Sequence, residues 1–343
     1  MPLRKKPPIA VSMGEPGGIN IEIISQCVKK KLPDFFLISD PKWVEKCLKQ
    51  LNLNIKLNIL DNIDSCIKGH LNILPIKCKV KYGFKKSYEQ NFPAIIESLD
   101  LAIKLAQRKK VSGIVTLPIL KKTLTINGTH YPGHTEYLGK KSNKKPLMIM
   151  LNKALKVATL TTHIPISQVP NKITKSNLEK TIRVYIKSLN RDFGLTDPIL
   201  AISALNPHNG EDGKIGNEEI KIITPVIEKL KKQGNKIYGP KSADTMFHKD
   251  ALKNVDANLC MFHDQALIPV KSFDFYGSIN YTAGLSFVRT SPDHGTAFDI
   301  AGENKANNSS LINAINYAQM IYNQRIEYDK KLWKFIKRDH KRV

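Results

Sequence analysis

The sequence predicts an α/β protein with largely parallel sheets. Short apolar, β-branched runs alternate with longer stretches of helical periodicity along the 343 residues, which is the pattern of successive strand–helix units. Polar residues follow several of the apolar runs directly, and open α/β sheets bind ligands at the carboxyl ends of their strands. We therefore expect the functional residues at the strand ends.

Apolar runs of strand length predict the strands, and 3.6-residue periodicity predicts the helices. The predicted strands cover residues 9–13, 35–39, 113–119, 147–151, 157–164, 199–205, 259–263 and 286–290. The predicted helices cover residues 21–31, 41–51, 92–109, 175–188, 218–232 and 311–322. The region 120–135, rich in Gly, Pro, Thr and His, is a candidate crossing between two lobes.

The composition is dominated by a formal net charge of +24, from 54 Lys and Arg against 30 Asp and Glu. A charge of this size suggests a nucleic-acid or anionic-membrane partner. Only eight of the basic residues are Arg, however, and nucleic-acid sites use Arg for bidentate contacts, whereas Lys is a strongly hydrated surface cation. We interpret the charge as a solvated Lys-rich surface and expect no nucleic acid and no membrane as partner. A basic nucleic-acid-binding protein stays a remote alternative.

The cysteine pattern and the absence of long apolar runs predict a soluble cytoplasmic protein. The five cysteines are odd in number and form no C-x-x-C pair, which is typical of reduced thiols. No run approaches the roughly 18 apolar residues of a membrane span, and the basic, Pro-rich residues 1–8 do not resemble a secretory signal.

Three of the nine histidines, His163, His208 and His263, lie at or just past the ends of three different predicted strands. A single histidine in such a place is more often a hydrogen-bonded loop or core residue. Neighbouring parallel strands, however, would bring three imidazoles to one sheet edge, where they suit Zn²⁺ or a similar divalent ion that must still bind substrate. The spacing matches no local metal motif, so both interpretations stay open.

Other residues are candidates for binding an anionic substrate. His134 and Thr135 follow a turn-like segment, and the alternative is a helix start capped by Thr135. Arg289 lies inside an apolar run, which favours a buried anion-binding role. Lys271 and Asn280 lie near it in the sequence, but one Lys among many carries little information.

A Gly-rich segment, G-E-P-G-G-I-N at 14–20, follows a predicted strand and precedes a helix. Phosphate-binding loops occur in this place. The segment is neither the dinucleotide fingerprint nor a P-loop, and a tight turn is the alternative.

Seven motifs in order resemble the 4-hydroxythreonine-4-phosphate dehydrogenase family of pyridoxal phosphate biosynthesis. They are GEPGGI (14–19), PGHTE (132–136), TTHIP (161–165), LNPHNGEDGKIGNEE (205–219), GPKSADTMF (239–247), FHDQALIPVK (262–271) and TAGLSFVRTSPDHGTAFDIAG (282–302). The resemblance runs from residue 9 to about residue 325. A set of several motifs in one order is far more specific than any single one.

The resemblance implies a two-lobed fold like that of the isocitrate and isopropylmalate dehydrogenases, with a central cleft, in a homodimer. On this basis residues 1–127 and 295–343 are expected to form a first α/β lobe on the cofactor side. Residues 128–294 are expected to form a second α/β lobe that carries the metal, the substrate and the dimer interface.

The resemblance also implies roles for individual residues. The metal ligands would be His163, His208 and His263, drawn from both chains at the dimer interface. The substrate contacts would be His134, Thr135, Lys271, Asn280 and Arg289. The cofactor-side loop would include His294, Gly295 and Thr296. The general base stays open between Lys121 and Asp244, and Asp244 is alternatively a carboxylate that orients a ligating histidine.

The implied reaction is oxidation of 4-phosphooxy-L-threonine by NAD⁺, with NADP⁺ as the alternative, and decarboxylation to 3-amino-2-oxopropyl phosphate. The implied metal is one divalent ion per site, Zn²⁺, Mg²⁺ or Co²⁺. A family paralogue that oxidises another phosphorylated hydroxy acid, a threonate or tetronate phosphate, is the alternative.

The chain departs from the usual family pattern at a few positions. GEPGGINIE stands where GEPAGIGPE is common, so Gly17 replaces Ala and Asn20 replaces Gly. Leu117 stands at a small-residue position, and Asn209 replaces the Ala of NPHAGE. These residues flank the expected cleft, which leaves a changed substrate preference open.

Overall fold

The computed structural model describes residues 6–126, 129–131 and 133–339, and it confirms the α/β class. The strands are β1 (Ile9–Ser12), β2 (Phe35–Ser39), β3 (Leu57–Ile59), β4 (Leu71–Pro75), β5 (Gly113–Thr116), β6 (Thr125–Ile126), β7 (Thr129–His130), β8 (Leu147–Leu151), β9 (Lys156–Thr159), β10 (Leu200–Ser203), β11 (Ile237–Lys241), β12 (Ala257–Cys260), β13 (Ile279–Ala283) and β14 (Arg289–Pro292). The helices are α1 (Asn20–Cys27), α2 (Pro41–Gln50), α3 (Phe92–Gln107), α4 (His134–Ser142), α5 (Val169–Lys172), α6 (Lys175–Phe193), α7 (Thr224–Lys232), α8 (Lys249–Leu252), α9 (His263–Phe273) and α10 (Ser309–Asp339). Short 3₁₀ turns and a π-helical segment, Glu219–Ile223, complete the chain.

The first of two compact units consists of Met1–Lys144 and Leu285–Tyr322. Its main sheet has the strand order β14-β5-β1-β2-β4-β3, and every described pairing in it is parallel. The central strand β1 is fully buried. The carboxyl ends of β14, β5 and β1 are therefore neighbours, and the segments that follow these strands meet at one edge of the sheet.

The second unit consists of Lys145–Gly284 and Asn323–Val343. Its sheet has the order β11-β10-β12-β9-β8-β13. The strands from β11 to β9 are parallel, whereas β8 pairs antiparallel with both β9 and β13. The expectation of largely parallel sheets therefore holds with one reversed strand, because the short β8–β9 connection returns the chain directly alongside itself.

The division into units differs from the boundaries implied by the resemblance. The chain changes unit after Lys144, Gly284 and Tyr322, rather than after residues 127 and 294. The reason is packing: Tyr137 and Leu138 of α4 belong to the same buried apolar cluster as Leu285 and Phe287. Residues 120–135 accordingly lie inside the first unit.

Local signals explain where the longer helices begin and end. Asp40 caps α2 by accepting a hydrogen bond from the Lys42 amide at 2.9 Å, and Pro41 occupies the first turn. Thr174 caps α6 in the same way at 3.2 Å, and the helix ends at Gly194, whose φ of 69° is left-handed. No helix among the described residues is both long and apolar enough to cross a membrane.

Several predicted elements end elsewhere than expected. The apolar runs at 113–119 and 157–164 continue beyond the strands, which end at Thr116 and Thr159. After β5 the loop residue Leu117 is fully inaccessible, whereas Leu160 and Ile164 after β9 are half-buried. Helix α10 extends far past the predicted residue 322, to Asp339.

Candidate active site

The three predicted metal ligands follow three neighbouring parallel strands of the second unit. His163 follows β9, His208 follows β10 and His263 follows β12, and the strand order is β10-β12-β9. Backbone pairing continues past the strands, with the amide of Thr161 donating to the carbonyl of Met261 at 3.2 Å. His163 and His263 each lie two residues beyond this last pair, so they leave the sheet side by side.

The geometry brings two of these imidazoles together and leaves the third apart. The ring centroids of His163 and His263 are 5.9 Å apart. The side chain of His208 is 71% exposed, on a loop of its own. No group of three His, Cys, Asp or Glu side chains within the described part of one chain could hold a metal ion.

Two of the histidines have a carboxylate next to one ring nitrogen. Nδ1 of His263 lies 2.7 Å from Oδ1 of Asp264, and Nδ1 of His208 lies 3.3 Å from Oε1 of Glu211. A carboxylate on one ring nitrogen fixes the ring and directs the other nitrogen outward, as in many metal sites. The sequence analysis gave this role as one alternative for Asp244, which is an exposed residue after β11. The observed carboxylates are the neighbours of the histidines in sequence.

Arg289 of the first unit interacts electrostatically with two residues of α4, His134 and Glu136. Arg289 is 2% exposed, and it donates to Oγ1 of Thr116 through Nε at 3.1 Å and through Nη2 at 2.6 Å. Burial lowers the pKa of the guanidinium to about 9, against the attraction of Glu136, and the group stays a cation at neutral pH. Burial and the charge of Arg289 lower the pKa of His134 to about 3, so the imidazole is neutral. A buried cation beside a neutral hydrogen-bonding ring is suited to an anionic group.

The remaining predicted substrate residues are found in both units. Thr135 lies inside α4, whose N-cap is Gly133, so Thr135 does not cap the helix. In the second unit, Asn280 is on β13 and its buried Oδ1 accepts no hydrogen bond from the described residues. Lys271 is on α9, with its Nζ 5.6 Å from the ring centroid of Phe275.

The predicted cofactor residues form the turn after β14. The carbonyl of Thr296 accepts a hydrogen bond from the Ile19 amide at 3.1 Å, and Gly18 packs so closely that a Cβ there would lie 2.5 Å from the same oxygen. Nδ1 of His294 lies 3.0 Å from the carbonyl oxygen of Gly295, and the space around the Gly295 Cα is open. The turn therefore packs on the Gly-rich segment after β1.

Of the two base candidates, only Asp244 has a described side chain. The side chain of Lys121 lies outside the described residues, although its backbone begins a 3₁₀ turn after β5. Asp244 is exposed, and it has no described hydrogen bond to any histidine.

Glu15 is a buried acid that the sequence analysis did not select. It follows β1 and is fully inaccessible, with Oε1 accepting from the Gly17 amide at 3.3 Å and Oε2 from the Ser87 hydroxyl at 3.1 Å. Burial raises its pKa, against these hydrogen bonds and the charge of Lys122. In the sequence, the position of this acid just after an apolar run of strand length was the signal that could have identified it.

The structure explains the two residues after β1, Gly17 and Asn20, that depart from the usual family pattern. A Cβ on Gly17 would overlap the carbonyl oxygen of Lys86, so alanine does not fit there. The amide of Asn20 donates to the carbonyls of Glu15 at 3.1 Å and Pro118 at 3.0 Å, joining the segments that follow β1 and β5. These departures belong to loop packing at the sheet edge.

The chain has the α/β fold of the isopropylmalate dehydrogenase-like proteins. The family model described as pyridoxal phosphate biosynthetic protein PdxA matches residues 31–318, and the chain belongs to this family, which confirms the family expected from the seven motifs.

Individual members resemble the chain over most of its length. The chain is 40% identical over 317 residues to the 4-hydroxythreonine-4-phosphate dehydrogenase of Paracoccus denitrificans (strain Pd 1222), covering 91% of this chain and 96% of that protein. It is 37% identical over 319 residues to the enzyme of the same name from Sulfurihydrogenibium sp. (strain YO3AOP1), covering 91% and 98%. The crystal structure of that dehydrogenase from Klebsiella pneumoniae superimposes with a TM-score of 0.83 at 32% identity, covering 92% of this chain and 98% of the other.

Proposed function

We propose that this protein is a metal-dependent 4-hydroxythreonine-4-phosphate dehydrogenase of pyridoxal phosphate biosynthesis. It would oxidise 4-phosphooxy-L-threonine with NAD⁺, with NADP⁺ as the alternative, and the oxidised product would lose CO₂ to give 3-amino-2-oxopropyl phosphate. The observation that carries the proposal is the series of three histidines at the ends of β10, β12 and β9, in a chain of this family.

The donor set fits a divalent metal, Zn²⁺, Mg²⁺ or Co²⁺. Imidazoles with a carboxylate on one ring nitrogen are typical metal ligands, and His263 and His208 each have such a partner. His163 would supply the third ligand. A divalent ion held there would lower the pKa of the substrate hydroxyl and polarise the ketone formed from it.

A second copy of the chain would complete the metal site. The side chain of His208 is largely exposed, and apolar residues around α9 are exposed as well, with Ile268 at 66%, Phe273 at 50% and Phe275 at 63%. Exposed apolar patches of this kind are typical of subunit interfaces. A homodimer that buries this surface would supply ligands from both chains to each site.

Charged and polar residues in each unit are suited to binding a phosphorylated amino acid. Arg289 is a buried cation whose neighbour His134 is a neutral donor or acceptor, and Thr135 follows it. In the second unit, Lys271 supplies a cation and Asn280 has a buried oxygen that can accept a hydrogen bond. Neutralising the substrate's charges and fixing its orientation would lower the activation barrier.

The turn after β14 has the features of a cofactor-binding loop. The open space at Gly295 would let a planar ring approach the backbone, and His294 and Thr296 flank this glycine. The nicotinamide cofactor would accept the hydride. The base stays open between Lys121 and Asp244, and Glu15, whose pKa is raised by burial, is an additional proton carrier near the strand ends of the first unit.

The experiment that tests the proposal is steady-state NADH formation from 4-phosphooxy-L-threonine. Chelator-treated protein is expected to be inactive, and added Zn²⁺, Mg²⁺ or Co²⁺ is expected to restore the absorbance change of NADH. The His208→Ala variant is expected to lose this metal-dependent turnover while it keeps its fold. Full activity of metal-free His208→Ala protein would exclude the metal role.

A substrate panel separates the proposed reaction from that of a family paralogue. Threonate and tetronate phosphates present a similar phosphate and hydroxyl but no amino group. A higher kcat/KM for one of these compounds than for 4-phosphooxy-L-threonine would reject the proposed substrate and retain the class of reaction.

A further inference from the structure

The loop that carries His208 has an unusual backbone. Residues 208–212 are consecutively left-handed, with φ between 42° and 80°, and four of these five residues have a side chain. Left-handed backbone is unfavourable for each residue that has a Cβ, because the Cβ approaches the following carbonyl oxygen. Contacts from outside the loop must therefore hold it in this conformation.

Glu219, the first residue of the π-helical segment, supplies such contacts. Its side chain is 2% exposed. Oε1 accepts hydrogen bonds from the backbone amides of Leu205 at 2.8 Å and Asn206 at 2.9 Å, and Oε2 accepts one from Nδ2 of Asn206 at 2.9 Å. The carboxylate thus binds the two residues that enter the left-handed turn.

The middle of the turn also rests on this carboxylate. A Cβ on Gly210 would lie 2.8 Å from Oε2 of Glu219, so the backbone can approach the carboxylate only where the residue is a glycine. Gly210 is buried and has a φ of 80°. One carboxylate therefore binds the start of the turn and lies close to its centre.

We propose that Glu219 is a positioning residue that holds the loop of residues 205–212 and thereby sets the place of His208. This inference rests on the proposed function, because it treats His208 as a metal ligand. Both oxygens of Glu219 bind Leu205 and Asn206, so Glu219 would act through the loop rather than as a ligand. π-Helical segments occur frequently at functional sites, and this one places an acid beneath a loop that leaves the sheet edge.

The chemistry of the contacts requires an acid at this position. All three groups that face Glu219 are N–H donors, and only a carboxylate accepts on both oxygens. Glutamine would keep one acceptor but would turn an NH₂ group toward Nδ2 of Asn206. Because two donors would then face each other in a buried place, Glu219→Gln is expected to loosen the loop while it preserves the size of the side chain.

Cobalt binding to the full-length protein provides one test. Co²⁺ is titrated into chelator-treated protein, and its visible d–d absorption is followed at a temperature where circular dichroism shows each variant folded. The Kd of Glu219→Gln is expected to rise about 10- to 100-fold above that of the unmodified protein. The matched control is Glu228→Gln, an exposed residue of α7 paired with Lys231 at 2.9 Å, and it is expected to leave the Kd unchanged.

Amide hydrogen exchange of the metal-free protein provides a second test that does not depend on the metal. The amides of Leu205 and Asn206 are expected to exchange about 10-fold faster or more in Glu219→Gln, because each exchanges a charge-assisted hydrogen bond to the carboxylate for a weaker one to a neutral carbonyl oxygen. If Glu219→Gln does not fold, Asn206→Ala removes one of the three bonds to Glu219, together with the bond from Nδ2 to Oε2 of Glu218 at 2.8 Å, and is expected to weaken Co²⁺ binding severalfold.

The outcomes separate this inference from the proposed function. Unchanged Co²⁺ affinity in a folded Glu219→Gln protein, or unchanged exchange at both amides, would overturn the positioning role alone. Absence of Co²⁺ binding to the unmodified protein would overturn the proposed metal site, and Glu219 would then not position a metal ligand. A lower unfolding temperature with normal Co²⁺ affinity would show that Glu219 has only a structural role.

Discussion

Arg325 and Asp192 form a buried ion pair in the second unit, with Nε of Arg325 donating to Oδ1 of Asp192 at 2.8 Å. The hydroxyl of Tyr281 donates to the other carboxylate oxygen at 2.5 Å and accepts from Nη2 of Arg325 at 3.0 Å. Burial alone would raise the pKa of Asp192, but the charges of Arg325 and Arg191 hold it below its usual value. The middle of α10 is thus attached to α6 and β13 by a closed polar network.

We expect Arg325→Met to lower the free energy of unfolding substantially. Removal of one partner from a buried ion pair costs about 3–5 kcal/mol, and the loss should lie near the lower end because Arg191 still contacts Asp192 at 2.7 Å. Urea denaturation at neutral pH measures it. Lys331→Met, an exposed residue on the same helix, is the matched control and should change the stability by less than about 0.5 kcal/mol. Equal stability of the two variants would contradict the role of the network.

The candidate functional residues at the strand ends were predictable from the sequence, because the apolar runs that mark the strands are a local signal. Apolar runs end where His163 and His263 begin, and the sheet places these residues together. Glu219 was not predictable as a support, since an acid at the start of a helical stretch resembles an ordinary surface residue. Its burial depends on a loop that returns over it.

The unit boundaries were not predictable because they depend on contacts between distant parts of the chain. Tyr137 and Leu285 are far apart in sequence but share one apolar cluster. The left-handed turn at residues 208–212 was not predictable from the sequence either. Most of its residues are not glycine, and glycine is the main sequence signal for such backbone.

Asn209 provides a test of that turn. Its φ is 58° and its side chain is exposed, so a substitution there changes the backbone preference and little else. Asn tolerates left-handed backbone better than other residues with a Cβ. We expect Asn209→Ala, the usual family residue, to lower the free energy of unfolding by about 1 kcal/mol, measured by urea denaturation. Asn209→Gly is the control and should be at least as stable as the unmodified protein. A variant with Ala that is as stable as the one with Gly would argue against a left-handed residue here.

Gly17→Ala should be poorly tolerated although Ala is common in the family at this position. The new Cβ would overlap the carbonyl oxygen of Lys86, and the neighbouring amide of Lys85 donates to the Gly17 carbonyl at 2.8 Å. Either the loop moves or this hydrogen bond breaks, and overpacking of this kind costs about 1–3 kcal/mol. The midpoint of urea unfolding should fall accordingly. Gly295→Ala, with open space around its Cα, should leave the midpoint unchanged. Equal midpoints for the two variants would show that the 85–86 segment is not fixed against Gly17.

His134 should make the protein less stable in mild acid. Burial and the charge of Arg289 lower its pKa to about 3 in the folded protein, whereas an unfolded histidine has a pKa of about 6.5. Between these values the unfolded chain binds a proton that the folded chain does not, so stability falls as the pH falls from about 6.5 toward 3. One such proton contributes a slope of at most about 1.4 kcal/mol per pH unit. Urea denaturation between pH 6.5 and 5 should show that His134→Gln reduces the slope by nearly this amount.

One further variant separates the two causes that lower the pKa of His134. Arg289→Met should raise the pKa of His134, since the cation is one of the two causes that lower it. As the pH is lowered, the loss of stability due to His134 should then stop at a higher pH than in the unmodified protein. If Arg289→Met leaves the range unchanged while His134→Gln abolishes it, burial alone keeps the imidazole neutral. If neither variant alters the slope, His134 takes up its proton in the folded state and is not the neutral neighbour of a buried arginine.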